Sequence, residues 1–564
     1  MQKQIVFIIL CFSFCSSELL AQNLNLIING ATEAETQTID SLDYDKTHKD
    51  FSSLALEVDT LHQRLIKLGY IESKRSTSEK VNDSSIVYNF QLNTKYKTLQ
   101  IYYNNTLISK KTLSLISKAR YDDYFSIPFS EAERVLNFIN TQIANDGFPF
   151  SKIRLSDIKV KDNKTVTANL LISEGETRRA LNKIVLKGYE KFPRSFLKRY
   201  LKIKPSQTFN IETIKKKIAV LDNLRFAKQI KTPEVLFTKD STLLYLYIEK
   251  ANSNTFDGFL GFSTDEDTNT LDFNGYLDLE LNNNLNYGES LKLLYKGNEN
   301  EEKNFEIKLN LPYLFGSPVG TELELNIFKK DSSFTTVNQK AKLFYQLNSK
   351  NRFYFGVDNT QSNALLSNNT SISLNDYKSN FLSTRYEFEH RNSKNALFQI
   401  RTLAQLEFGF GNRLLLQTKE EQIKLFLNAH HIFNLNEKNS IYIRLNASFL
   451  DSETYLENEL IRLGGINSIR GFTENSLTAT RYALVNTEYR YLLSNTIYAH
   501  SVIDYASLEN KITNQKEALY GFGLGFGIIT KAGLLKFNFA NGKTENQQFQ
   551  FSNSKIHLSL TSLF

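Results

Sequence analysis

The chemistry spelled most clearly in this sequence sits in one decapeptide, Leu463-Gly464-Gly465-Ile466-Asn467-Ser468-Ile469-Arg470-Gly471-Phe472. Its glycines let backbone pack closely, and Phe472 can wedge against a wall. The planar guanidinium of Arg470 needs acidic partners wherever bulk water is kept out. Candidate partners stand downstream. In Val485–Tyr491, alternation places Asn486, Glu488 and Arg490 on one polar face and Val485, Thr487, Tyr489 and Tyr491 on the other. In Tyr498–Asp504, Asp504 has the parity of His500. The chemistry implied is an ion cluster that holds structure together, not a catalytic centre.

Catalysis has little support elsewhere. The seven histidines are scattered, and the adjacent His430-His431 pair would point to opposite faces of a strand. No H-E-x-x-H, G-x-S-x-G or P-loop spacing occurs. Gly521, Gly523, Gly525 and Gly527 alternate with Phe522, Leu524, Phe526 and Ile528. The third glycine of a dinucleotide fingerprint would fall on Phe526, and nothing helical follows. These glycines read as one face of a strand, serving either to leave room for a loop or to allow curvature.

Lys3, the apolar run Ile5–Phe14 and the ending Leu19-Leu20-Ala21 read as a secretory signal peptide over residues 1–21. The run is too short for a spanning helix, which needs roughly 20 residues. Cys11 and Cys15, the only cysteines, lie within this segment, so the exported chain is expected to lack disulfides, thiol catalysis and cysteine metal sites. Phe14 occupies the position before Cys15 where a lipoprotein signal wants a small residue. With 42 Phe, 28 Tyr, no Trp and a mean hydropathy of −0.35, the chain suits a β-barrel whose strands are half apolar. Composition alone leaves a soluble secreted β-protein as the alternative.

Two regions differ in period. Residues 24–252 mix helical and strand signals, and Gly69-Tyr70, Gly147-Phe148 and Arg225-Phe226 recur 78 residues apart, each after a helical stretch. The closing strands Ile86–Phe90, Thr165–Leu170 and Leu243–Ile248 keep a similar offset. The third copy shows the order most clearly. Strand Ile184–Leu186 is followed by a helix after Pro193 and by a second helix behind Asn210 carrying Ile211, Ile214, Ile218 and Leu221. Two strands close the unit. Strand, helix, helix, strand, strand resembles the POTRA module. This resemblance gives POTRA-like domains at 22–100, 101–178 and 179–252. Between Arg178 and Lys231, 16 Lys and Arg face three acidic residues, a local +13 in a chain of net +8. That excess is expected to attract anionic phospholipid headgroups; a merely solvated face is the alternative, and nucleic acid is not expected for an exported chain.

From 255 to 564 the pattern is almost purely alternating, as in Leu277–Leu281, Phe305–Leu309 and Leu323–Ile327. The 310 residues suffice for about 16 strands of the 9 to 11 residues that a tilted membrane strand needs. The decapeptide resembles the L-G-G-x-x-S-V/I-R-G-F/Y signature of the BamA/TamA-type superfamily, the bacterial surface antigen family. That resemblance implies a long extracellular loop folded back into the barrel. It also implies two acidic partners on the following strands, at places matched by Glu488 and Asp504. The last strand, with Ile556, Leu558, Leu560 and Phe564 on one face, looks like an outer-membrane insertion signal.

The fold class expected is therefore α+β POTRA repeats followed by an all-β transmembrane barrel of about 16 antiparallel strands, exported to the outer membrane. The expected function is outer-membrane protein assembly or translocation without enzyme activity or cofactor. POTRA edges would bind unfolded outer-membrane or secreted clients, and the seam between Phe256–Phe262 and the terminal strand would open to outer-membrane lipid. Accessory proteins of the periplasm or inner membrane are further expected partners. Three modules and a compact barrel favour a specialised TamA-like role. A two-partner secretion transporter and a passive receptor or adhesin are the alternatives.

Overall fold

The computed structural model describes residues 23–103, 108–173, 177–264, 271–297, 302–365, 373–392, 395–548 and 550–563. The expected signal peptide and Phe564 lie outside the described residues. Two α+β modules make up one compact unit, and a third module packs with the barrel in the other.

In each module the opening strand pairs parallel with the closing strand. Asn25–Gly30 pairs with Ser85–Phe90, Thr98–Tyr102 with Thr165–Asn169, and Lys183–Gly188 with Leu243–Ile248. Helices cover one face of the sheet because their apolar residues fall at helical spacing. Helix Phe51–Lys67 buries Leu54, Val58, Leu61 and Leu65, and Asp50 caps it by accepting from the Ser53 amide at 2.7 Å. Helix Ala132–Asn145 buries Val135, Ile139 and Ile143. Both helices stop at a left-handed glycine, Gly69 (φ 107°) and Gly147 (φ 103°). The next amide then reaches back into the helix, Tyr70 N to Leu65 O at 3.1 Å and Phe148 N to Ile143 O at 3.2 Å. Each aromatic folds onto its own core.

The 78-residue period is thus the spacing of a helix stop. In the third copy Arg225 stands where the glycine would be. Helix Ile211–Ile218 runs into the 3-10 turn Ala219–Asn223, which leaves through extended Leu224. Arg225 pairs instead with Glu280 of the barrel. Strand Thr98–Tyr102 crosses the boundary expected at 100/101, because Leu99 and Ile101 both belong to the second core.

Sixteen antiparallel strands, from Thr255–Thr264 to Ser554–Leu563, close into a barrel. Register places Phe305, Ile307 and Leu309 opposite Ile327, Leu325 and Leu323 on one face, with Lys308 opposite Glu324 on the other. The apolar face points outward: Leu323, Phe355, Leu382, Phe410 and Leu524 are exposed. Charge points inward. Lys342, 1% exposed, pairs with Glu407 at 2.6 Å and Asp358 at 3.6 Å, and an Arg385 nitrogen lies 2.9 Å from both Glu322 oxygens. A soluble sandwich would show the opposite sorting, whereas a hydrocarbon surround requires this one. Among the described residues, no helix is long and apolar enough to cross a membrane.

Closure is uneven. The first strand pairs with the second at ten positions, and the last strand pairs with its predecessor at eight. Among the described residues, first and last strands meet in register only at Thr255–Leu563 and Phe256–Ser562.

Candidate functional site

Residues 452–480 connect strands Asn439–Asp451 and Arg481–Leu492 and carry the decapeptide. A short hairpin, Ile461–Leu463 against Leu477–Ala479, forms the neck. Beyond it the backbone curls on itself: Gly465 N donates to Phe472 O at 3.1 Å and Ser468 N to Gly465 O at 3.1 Å. Gly471, at φ 90°, lies so close to the barrel wall that a Cβ would stand 2.3 Å from Gly542 N. Leu463 and Ile469 are buried in a cluster with Leu484, Ala506, Leu508 and Leu519, and Phe472 packs against it. These wall residues share the inward parity of Glu488 and Asp504, so one strand face supplies an apolar seat and then charge.

Arg470 enters that charged region. Its Nε donates to Asp504 Oδ2 at 2.9 Å, Nη2 to Asp504 Oδ1 at 2.6 Å, and Nη1 to Glu488. The Arg470 amide adds a bond to Asp504 at 3.0 Å. Glu488 also accepts from Arg490 Nε at 2.7 Å, and the Arg490 guanidinium lies between the rings of Tyr442 (4.1 Å) and Phe398 (4.5 Å). All four charged residues are buried, Asp504 to 1% exposure. Two guanidinium groups and two carboxylates make a neutral set, the condition under which buried charge is tolerated. Asn486 Nδ2 and Arg444 Nη1 hold the loop backbone at Ser468 O (3.0 Å) and Asn467 O (2.8 Å).

Of the four alternating glycines, only Gly521 serves the loop: a Cβ there would stand 2.5 Å from Arg470 O. Gly525 and Gly527 lie under the His500 and Tyr498 rings, and Gly523 lies against the Phe539 carbonyl. On the last strand Ile556, Leu558 and Leu560 are exposed on the outer face.

A second anchor of the same connection was not evident from sequence. The fully buried Arg413 guanidinium donates to Glu459, Glu420 and Thr454, and Gln422 Nε2 reaches Glu459 at 2.7 Å. Arg413 shares the inward parity of Gly409 and Gly411, which is a usable signal, but Glu459 sits in a loop without periodicity. Glu459→Gln is expected to cost about 1 to 2 kcal/mol in a denaturant titration, because Arg413 keeps Glu420 and Thr454. A cost indistinguishable from zero would remove this anchor from the account.

Beneath the loop lies a cavity of about 1130 Å³, bounded by Asn467 and Arg470 above, Asp257 and Thr561 at the seam, and Arg225 and Ser253 below.

Residues 283–556 match the Omp85 superfamily domain, and residues 180–250 match the surface antigen variable number repeat, the POTRA repeat. The chain belongs to the Omp85 superfamily. Its fold is similar to BamA from Haemophilus ducreyi lacking POTRA domains 1–3, with TM-score 0.50 and 15% identity over 82% of this chain and 99% of that one. It is also similar to CdiB from Acinetobacter baumannii (TM-score 0.50, 16% identity, 83% and 90%) and to CdiB from Escherichia coli (TM-score 0.53, 12% identity, 91% and 98%). At these identities the likeness is one of fold. No curated protein sequence matches the chain. This Omp85 barrel spans the outer membrane with its POTRA region in the periplasm, and its broad role is outer-membrane insertion or translocation.

Proposed function

We propose that this Omp85 chain inserts unfolded client polypeptides into the outer membrane through the barrel seam, after POTRA edge strands have held them by strand addition. The observation that carries this reading is the seam itself, with two register pairs against ten and eight on its flanks. A sparsely paired strand edge offers backbone donors and acceptors to an incoming strand.

Passage of an extended chain through the lumen, as in two-partner secretion, receives less support, because the doubly anchored loop lies across that route. Depletion followed by comparison of the outer-membrane proteome tests the role. Loss of a defined set of barrels or surface proteins is expected. An unaltered profile would sink the assembly reading and leave a passive receptor.

A further inference from the structure

The basic excess of the third POTRA module has a definite place in the fold. Helix Arg194–Arg199 lies against turns that close the periplasmic end of the barrel. The Phe196 ring meets Tyr313 edge-on at 4.9 Å, and Gly288 lies so close to that ring that a Cβ would stand 2.1 Å from Cε2. Arg199 Nε donates to Gly316 O at 3.0 Å and Lys202 Nζ to Leu347 O at 3.4 Å. Asn283 Nδ2 donates to the Tyr189 hydroxyl at 2.8 Å. Residues 194–202 therefore reach three successive turns, at 283–289, 312–318 and 347–350, which join strands two to seven on one side of the seam.

Those turns expose Leu285, Tyr287, Phe315 and Leu347, and Phe315 is fully exposed. Tyr313 and Phe315 both hold left-handed backbone (φ 55° and 52°), a conformation that non-glycine residues seldom adopt, and the turn between them leaves the Phe315 ring exposed. Close by, Lys191, Arg194, Lys198 and Lys204 are exposed and, among the described residues, form no ion pair. Burial, together with the neighbouring Lys202 and Lys204, pushes the Lys217 ammonium below its ordinary range, as expected where positive charge is not compensated.

Apolar and aromatic side chains at the membrane boundary, with unpaired cations beside them, are complementary to a phospholipid surface: rings enter the interface while ammonium and guanidinium groups meet phosphate. We propose that this face of the third POTRA module and the adjoining turns bind anionic phospholipids of the periplasmic leaflet beside the seam. The assignment does not depend on the route taken by a client.

The full-length protein, reconstituted in nanodiscs of phosphatidylethanolamine and phosphatidylglycerol and then extracted, should retain phosphatidylglycerol selectively in native mass spectra. Lys191→Glu/Arg194→Glu/Lys198→Glu, all at exposed positions, should lower that retention by about tenfold. Equal retention would overturn the proposal, as would displacement of phosphatidylglycerol by millimolar inorganic phosphate, which would indicate a free-phosphate site instead. The chain has no tryptophan, so Phe315→Trp provides a single indole that can be excited selectively over the tyrosines and needs no charge variant. Quenching by brominated phospholipid is expected. Emission unaffected by brominated lipid would overturn the insertion of Phe315.

Discussion

Arg470→Ala is expected to leave a barrel that assembles poorly and loses its compact electrophoretic mobility at a lower temperature than the parent. The loss should be about 3 to 5 kcal/mol, the usual cost of removing one partner from a buried ion pair. It should fall mainly on Asp504. That carboxylate is 1% exposed and takes three bonds from Arg470, of which only the backbone one would survive. Glu488 keeps Arg490. Asp504→Asn added to Arg470→Ala should therefore restore part of the loss, whereas Glu488→Gln should deepen it by depriving Arg490 of its counter-charge. Arg470→Lys should also fail, because one ammonium cannot reproduce the fork that engages both carboxylates. If Arg470→Ala folded, migrated and functioned like the parent, the loop would not be held by this cluster.

Gly471→Val should produce the second large effect by a different physical route. It leaves the charges intact and blocks the seat. A side chain at Gly471 would meet Gly542 N at 2.3 Å, and Gly542 itself is pressed against Gly471 O. Overpacking of about 1 to 3 kcal/mol then combines with a left-handed backbone that a β-branched residue resists, at a similar cost. The sixteen wall strands are untouched, so the barrel should close while residues 452–480 become open to protease added from outside. Client assembly should fall with it. A Gly471→Val protein whose loop stays protease-resistant would show that close packing at this point is not needed.

How much of this was legible in the sequence follows from which interactions are periodic. Alternation in Phe305–Leu309 and Leu323–Ile327 marks apolar and charged faces, because a strand with hydrocarbon on one side permits no other arrangement. Gly69-Tyr70 and Gly147-Phe148 reveal the module repeat, because a left-handed helix stop requires glycine. Glu488 and Asp504 stand out by parity, and the structure brings both to Arg470. The partnership of Arg413 with Glu459 was not legible: 46 residues separate them, and a loop without periodicity gives no facing rule. Phe398, which stacks on Arg490, likewise lies in an irregular turn. The seat of the third module on the barrel was equally hidden. Phe196 and Gly288 meet through shape, and neither residue type signals a partner.

The central claim, that clients enter the membrane through the seam, is tested most directly by locking that seam. Phe256 and Ser562 are in register across it, and the only native cysteines fall within the expected signal peptide. Phe256→Cys/Ser562→Cys can therefore be joined by a disulfide free of competing thiols. Client assembly should stop in the oxidised protein and return on reduction, with each single variant unaffected. An oxidised, fully cross-linked protein that assembled clients at the parent rate would contradict the account.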